Sequence, residues 1–125
     1  MELISPIRGG DEEKIYPLPT GDGAQIDKAN GVIVMRYDGT VYAFSLACPH
    51  QNTAIRWYDH EHQFECPKHH SKYRPDGTFI EGRATRGLDR FAVRKSADGN
   101  SLAVNLDKLF QEKHDVEWNA AFISL

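Results

Sequence analysis

The sequence predicts an all-β fold of antiparallel hairpins, and two observations carry that prediction. Apolar, β-branched and aromatic residues fill Val32–Tyr37 and Thr40–Ser45, on either side of Asp38-Gly39. Two such runs around Asp-Gly are the strongest short-range signal for a β-hairpin. A second pair of β-rich runs, within 91–105, flanks the turn sequence Ala97-Asp98-Gly99-Asn100. The pattern therefore indicates strand pairing between neighbouring segments in both halves of the chain.

Length and composition restrict the class of protein. A chain of 125 residues is expected to form one domain, here 1–125, and to bury about two thirds of its unfolded surface. The formal charge of -3, the pI near 6.0 and the dispersed basic residues argue against a nucleic-acid partner. No apolar run approaches eighteen residues, so we expect no membrane span. We also expect no signal peptide in the sequence.

The segment before the first hairpin predicts little regular structure. Residues 1–22 have mixed charge and contain Gly9-Gly10 and the proline-broken run Tyr16-Pro17-Leu18-Pro19. We expect an irregular arm with one short edge strand near residues 14–16. A strand is also expected at 25–28, after the turn sequence Gly21-Asp22-Gly23.

The middle of the chain predicts another hairpin. Residues 54–58 and 63–65 are expected to pair around the turn Asp59-His60-Glu61-His62, which returns the chain to Cys66. The turn sequence Pro75-Asp76-Gly77 precedes a further expected strand at 78–80. Strands of this kind give rigid support to any site that their loops carry.

The C-terminal tail, about residues 106–125, has a different pattern. Asp107 is expected to N-cap a short helix over residues 108–113, with Leu109 and Phe110 facing inward. The last segment, 116–125, contains Trp118 and ends apolar, so we expect it to pack on the sheet.

The chain has two cysteines, and both lie close to histidines. Cys48-Pro49-His50 is followed after fifteen residues by Cys66-Pro67-Lys68-His69. Thiolate is a soft ligand and imidazole a borderline one, so two of each suit zinc or an iron–sulfur cluster. The proline after each cysteine fixes its own φ and removes a donor, which stiffens both loops. The residue types alone leave both metals open.

This ligand pattern resembles that of Rieske proteins, over about residues 32–104. In that family two cysteines hold one iron of a [2Fe–2S] cluster and two histidines hold the other. The resemblance implies that Cys48 and Cys66 bind one iron and that His50 and His69 bind the other. It also implies an antiparallel β-sandwich with a small cluster-binding lobe, about residues 47–74, inserted between the hairpins.

The resemblance extends to the residues after the last ligand. Ser71 and Tyr73 occupy places where Rieske proteins of quinol-oxidising complexes have serine and tyrosine. This implies that Ser71 donates a hydrogen bond to a bridging sulfide and Tyr73 donates one to a cysteine sulfur, which raises the reduction potential. The same relatives have a disulfide whose half-cystines would fall at Thr53 and Lys68. Neither residue is a cysteine in this chain, so the disulfide is missing and we expect an intermediate to high reduction potential.

The remaining histidines and the third loop are weaker candidates. We expect His60 and His62 to be exposed at a turn, and we favour His69 over its neighbour His70 as the ligand. Most relatives have glycine at the place of His70, so a slightly different backbone is expected there.

The loop 81–88 matches the family loop that covers the cluster. Three arginines lie in it or just after it, and they are expected either to form a basic docking rim or to make ion pairs in a solvated loop. They are Arg83, Arg86 and Arg90.

The predicted function is one-electron transfer to or from a redox partner protein, of respiratory or oxidase type. Two alternatives stay open: a Rieske ferredoxin that serves an oxygenase or reductase, and a zinc-stabilised binding module. An enzyme in its own right is less expected than an electron-transfer subunit of an oxidoreductase. The resemblance to respiratory relatives favours the periplasm over the cytoplasm, and the oligomeric state is left open.

Overall fold

The computed structural model describes residues 12–47, 54–68, 70–84 and 86–125. Within them the chain forms eleven strands and one short 3-10 helix. In chain order these are β1 (Glu13–Pro17), β2 (Gly23–Asp27), β3 (Val32–Tyr37), β4 (Thr40–Ser45), β5 (Arg56–Tyr58), β6 (Gln63–Glu65), β7 (Lys72–Tyr73), β8 (Phe79–Glu81), β9 (Arg90–Lys95), β10 (Ser101–Phe110), the 3-10 helix (Val116–Ala120) and β11 (Ile123–Ser124). The predicted all-β class is confirmed.

The described strands form two antiparallel sheets. The larger sheet has the order β1-β10-β9-β4-β3-β2, with β11 also paired to β4. The smaller sheet has the order β5-β6-β7-β8 and is inserted in the sequence between β4 and β9. The small lobe thus lies between hairpins, as the resemblance implies. None of the helices in the described part of the chain is long and apolar enough to cross a membrane.

The hairpin predicted around Asp38-Gly39 is confirmed. Tyr37 pairs directly with Thr40, so the loop has two residues. Asp38 and Gly39 both have positive φ, 51° and 77°. A two-residue loop with two positive φ angles matches the right-handed twist of the strands that it joins. Local turn chemistry therefore sets the register of β3 on β4.

The other predicted strands also form, with small shifts in their ends. The edge strand near residues 14–16 is β1, and the strand expected at 25–28 is β2, which begins two residues earlier. The second hairpin is β5–β6 and the last is β9–β10. The short strand after Pro75-Asp76-Gly77 is β8.

Strand β3 supplies side chains to two separate parts of the core, and its four buried residues alternate between them. Ile33 and Met35 face the small sheet, where they join Phe44 of β4 and Phe64 of β6. The residues between them belong to a second cluster, which the curled large sheet encloses. That cluster comprises Val32, Val34, Val41, Ala43, Phe91, Leu102 and Val104. A continuous apolar run is what a strand buried on both faces requires.

The predicted helix at 108–113 is wrong, because β10 continues to Phe110. Asp107 does not cap a helix; one of its carboxylate oxygens accepts a hydrogen bond from the backbone N–H of Glu12 at 2.6 Å. Leu109 pairs with Phe91 of β9 after an irregularity in the strand register, and it is 42% exposed rather than inward-facing. Contacts with residues distant in sequence thus override the local helix signal.

The last segment packs on the large sheet, as predicted. The indole N–H of Trp118 donates to the carbonyl of Leu88 at 2.8 Å. The guanidinium of Arg90 lies 3.7 Å from the centroid of that indole and donates to the carbonyl of Trp118. Ile123 then pairs with Val41. One buried cation and one strand pair therefore hold the tail.

Gly77→Ala tests how closely the turn before β8 packs on β4. Gly77 has φ of 88°, and a Cβ there would lie 2.6 Å from Cε1 of the Phe44 ring. We expect a loss of about 2–4 kcal/mol in the free energy of unfolding, from backbone strain plus overpacking. Urea unfolding of the loaded protein measures it.

Gly99→Ala is the matched control, because Gly99 has φ of 76° but a Cβ there meets only Lys95 Cδ at 4.0 Å. It should lose about 1–2 kcal/mol, the cost of the left-handed backbone alone. Equal losses in the two variants would contradict the close packing of Gly77 on Phe44.

Candidate metal centre

Of the four predicted ligands, the structure describes Cys66. Cys48, His50 and His69 lie outside the described residues, as does Thr53. The segments that lead into and out of 48–53 are described, and they lie side by side. Ala47 and Ala54 form an isolated bridge, and the N–H of Ile55 donates to the carbonyl of Leu46 at 2.8 Å. The two ends of the first predicted ligand loop are therefore joined at its base.

Cys66 follows β6 directly and is fully buried. It belongs to the same apolar cluster as Ile55, and Leu46 packs against that cluster. The base of the first predicted loop and the start of the second thus meet in one part of the core. Sequence spacing predicted this meeting, because the hairpin β5–β6 returns the chain to its starting point.

A tight backbone turn follows Cys66. The N–H of Cys66 donates to the carbonyl of Ser71, and the N–H of His70 donates to the carbonyl of Cys66, both at 2.8 Å. These bonds connect the end of β6 to the start of β7. They fix the backbone at both ends of the segment that contains His69.

His70 has the left-handed backbone that glycine adopts readily, with φ of 60°. The expectation of a slightly different backbone at this place stays a prediction; the histidine here has a conformation that glycine adopts more readily. The side chain is 70% exposed, and its Nδ1 lies 2.5 Å from a carboxylate oxygen of Glu65 on β6. That bond to a carboxylate compensates in part for the strained backbone.

Ser71 is fully buried and joins the second loop to the third. Its hydroxyl oxygen accepts hydrogen bonds from the N–H groups of Arg83 and Ala84, at 3.1 and 3.2 Å. A hydroxyl has two lone pairs and one proton. Since two donors engage the oxygen, the proton remains for an acceptor of its own. This role toward the third loop is one that sequence reasoning missed.

The third loop packs tightly over Ser71 at Gly82. A Cβ at this glycine, whose φ is 120°, would lie 2.5 Å from Ser71 Cα and 2.8 Å from its Oγ. Only glycine fits such an approach without displacement of the backbone. Glycine at position 82 is the sequence feature that this contact requires, although its partner Ser71 is distant in the sequence.

Tyr73 on β7 is also fully buried and pairs with Phe64 of β6. Its ring lies edge-on to Phe79 of β8, with 6.0 Å between the centroids. Tyr73 therefore lies inside the small sheet, in the same apolar cluster as Cys66. The predicted hydrogen bond from its hydroxyl to a cysteine sulfur stays a prediction.

Of the two alternatives for the three arginines, a basic docking rim and a solvated loop with ion pairs, the structure gives neither in full. Arg83 is exposed, but Arg86 pairs with Asp89 through two hydrogen bonds at 3.1 and 3.3 Å. Arg90 is buried, and desolvation lowers the pKa of its guanidinium. The ion pair of the second alternative is therefore present, but Leu88 in this loop is fully buried, and Arg90 is buried and structural.

The histidines of the β5–β6 turn are exposed, as predicted. His62 has φ of 51°, and its ring lies 5.8 Å from that of Tyr37. His60 lies beside it in the same turn. Among the described residues no group of three or more histidine, cysteine or acidic side chains is placed to hold a metal ion.

Comparisons with known proteins agree on one family. The family model described as "Rieske [2Fe-2S] domain" matches residues 15–102. The cytochrome b6-f complex iron-sulfur subunit of Chlorobaculum thiosulfatiphilum is 31% identical over 74 residues, 59% of this chain and 40% of the relative. The subunit of the same name from Chlorobaculum tepidum is 32% identical over 79 residues, 62% of this chain and 43% of the relative. The chain thus spans less than half the length of these relatives.

A solved structure gives the same result. The cyanobacterial plasma membrane Rieske protein PetC3 from Synechocystis PCC 6803 superposes with a TM-score of 0.54 and 25% identity. The match covers 66% of this chain and 83% of that protein. The fold and the sequence motif therefore point to the same family.

Ser71→Ala tests the link between the second and third loops. The variant leaves the N–H groups of Arg83 and Ala84 without their acceptor in a buried place, which costs about 1–3 kcal/mol for a group of this kind. We expect the midpoint of urea unfolding to fall accordingly, while the exposed Ser124→Ala leaves it unchanged. Equal midpoints for the two variants would contradict the contact.

Proposed function

Because this chain belongs to the Rieske [2Fe–2S] domain family, we propose that it carries its cluster on Cys48 and Cys66 at one iron and His50 and His69 at the other. The chain is a Rieske-type iron–sulfur electron carrier. Bound in this way, the cluster supplies one electron at a time through the change of one iron between its ferric and ferrous forms. The single observation that carries the ligand proposal is the fully buried Cys66 at the junction of both ligand loops.

The described residues fit such a group. The sulfur of Cys66 is withdrawn from water and lies among apolar side chains, which keeps solvent from the predicted ligand. Ser71 has a buried hydroxyl whose proton is left for an acceptor, and an iron-bound sulfur is an acceptor that matches it. An uncompensated buried hydroxyl would cost stability, so an acceptor of this kind is expected.

His69 is preferred to His70 as the fourth ligand. The Nδ1 of His70 is engaged by the Glu65 carboxylate, and its ring projects into solvent. Only one ring nitrogen of His70 is thus left for any further contact. The hydrogen bonds that join Cys66 to His70 and to Ser71 involve described residues on either side of position 69 and support this preference.

We propose an intermediate to high reduction potential and a partner of respiratory or oxidase type. Donors to the cluster sulfurs stabilise the reduced form, and the burial of Ser71 and Tyr73 in the lobe supports such a role for both. Threonine and lysine stand at 53 and 68, where the high-potential relatives have a disulfide. The relatives described above are named as iron-sulfur subunits of the cytochrome b6-f complex, which supports a redox partner protein. The periplasmic location stays a prediction.

The ligand assignment is tested with a matched pair of neighbours. His69→Ala should abolish the Rieske-type EPR signal of the dithionite-reduced protein, because one iron loses a nitrogen ligand. His70→Ala should keep the signal, because it removes only the bond to Glu65. Iron and zinc analysis of the same samples accompanies the spectra. A signal lost in His70→Ala but retained in His69→Ala would reverse the assignment, and zinc without iron would favour the binding module.

The potential is tested by redox titration followed by EPR. Tyr73→Phe and Ser71→Ala should each lower the midpoint potential, since each removes a donor that stabilises the added electron. The wild-type midpoint should lie within the Rieske range of about −150 to +300 mV and above zero. Tyr58→Phe, on the edge strand β5, is the control and should leave the midpoint unchanged. A wild-type midpoint well below zero would instead indicate a ferredoxin that serves an oxygenase or reductase.

A further inference from the structure

An apolar groove lies beside the second predicted ligand loop, at the seam between the two sheets. Its apolar lining comes from Ile26 on β2, from Leu46, Ala54 and Ile55 at the base of the first loop, and from Pro67. The cavity has a volume of about 380 Å³. Ile26 is 44% exposed although it pairs with the fully buried Ile33. The groove is therefore an open, water-accessible continuation of the core between the sheets.

Two cations line the same groove. Lys28 and Arg56 are exposed, and neither makes an ion pair or a side-chain hydrogen bond with any described residue. Arg56 lies opposite Glu65 on β6, but the Glu65 carboxylate is bonded to His70. Lys68, the residue after Pro67, is likewise exposed and without an ion pair to the described residues. The described lining residues include no acid, so the lining of the groove carries two positive charges in a chain of net charge -3.

The groove is also close to the cluster ligand. Pro67, one of its walls, is bonded directly to Cys66, and Ile55 packs in the same cluster as Cys66. Electron transfer between proteins requires a short separation of the two redox centres. A partner seated in this groove would lie beside Pro67 and therefore close to Cys66, which satisfies that requirement.

We propose that this groove is the docking surface for an acidic one-electron redox protein. The partner places an apolar side chain on Ile26 and Ile55 and sets carboxylates against Lys28 and Arg56. One electron passes between the reduced cluster of one protein and the oxidised metal centre of the other, and no covalent bond forms or breaks. This inference rests on the proposed function.

Charge reversal tests the electrostatic half of the proposal. Stopped-flow absorbance follows oxidation of the reduced, cluster-loaded protein by an acidic plastocyanin and, separately, by ferricyanide. Lys28→Glu/Arg56→Glu should slow the bimolecular reaction with plastocyanin by about tenfold or more at low ionic strength. Lys95→Glu/Lys113→Glu has the same change of net charge on residues outside the groove and should slow it much less. Salt should reduce the difference.

Removal of apolar surface tests the other half. Ile26→Gln should raise, by several-fold, the plastocyanin concentration at which the oxidation rate is half-maximal. It should leave the rate with ferricyanide unchanged. Val116→Gln is the matched control, because Val116 lies on the 3-10 helix, is 82% exposed and is not among the residues that line the groove. It should behave as the wild type with both oxidants.

The outcomes separate this inference from the proposed function. Every variant is first required to show the wild-type EPR signal and midpoint potential. If the wild-type protein itself lacks the Rieske-type signal, the proposed function is wrong. With the signal retained, equal slowing in the two double-charge variants would overturn the docking site, because net charge alone would explain it. Slowing with ferricyanide alone would overturn the protein partner in favour of small anions. If the reaction with plastocyanin is slowed only in the groove variants, the result supports the docking site.

Discussion

The burial of one face of the β3–β4 hairpin against the small sheet is the interaction on which the proposed centre depends. Phe44 of β4 meets Phe64 of β6 edge-to-face, with 5.5 Å between the ring centroids. Each large apolar side chain buried in this way contributes about 1.5–3 kcal/mol relative to exposure. Phe64 is two residues before Cys66, and β4 ends three residues before Cys48. The contact that joins the sheets therefore also sets where both proposed ligand loops begin.

The second and third loops around the proposed centre depend on each other through a small polar network inside an apolar lobe. The Ser71 carbonyl accepts from Cys66, and its hydroxyl accepts from Arg83 and Ala84. Buried polar groups of this kind are costly when left unpaired and specify one arrangement when paired. A cluster bound only by the folded lobe would add its binding free energy to this arrangement. Loop geometry and cluster binding should thus support each other.

The parts of the fold that sequence predicted are those that local chemistry determines. Asp38-Gly39 requires nothing beyond its own backbone to form a two-residue turn, and the apolar run at Val32–Tyr37 requires only burial on both faces. Asp107 and Arg90 were misread because their partners are remote. Asp107 bonds Glu12, 95 positions away, and Arg90 lies between Tyr42 and Trp118 while it bonds the carbonyl of Asp76. Family resemblance identified Ser71 as a candidate, but its contact with the third loop required the tertiary structure.

The distribution of ion pairs explains how an acidic chain presents a positive face. Several cations of the large sheet are engaged: Arg94 makes two hydrogen bonds to Glu13, and Arg36 lies 3.9 Å from Asp22. Such surface pairs add little stability, but they neutralise the local potential. Lys28 and Arg56 lack a carboxylate among the described residues, so their charge is available to an approaching molecule. The sign of the potential at the seam thus follows from which cations are paired, and net charge does not predict it.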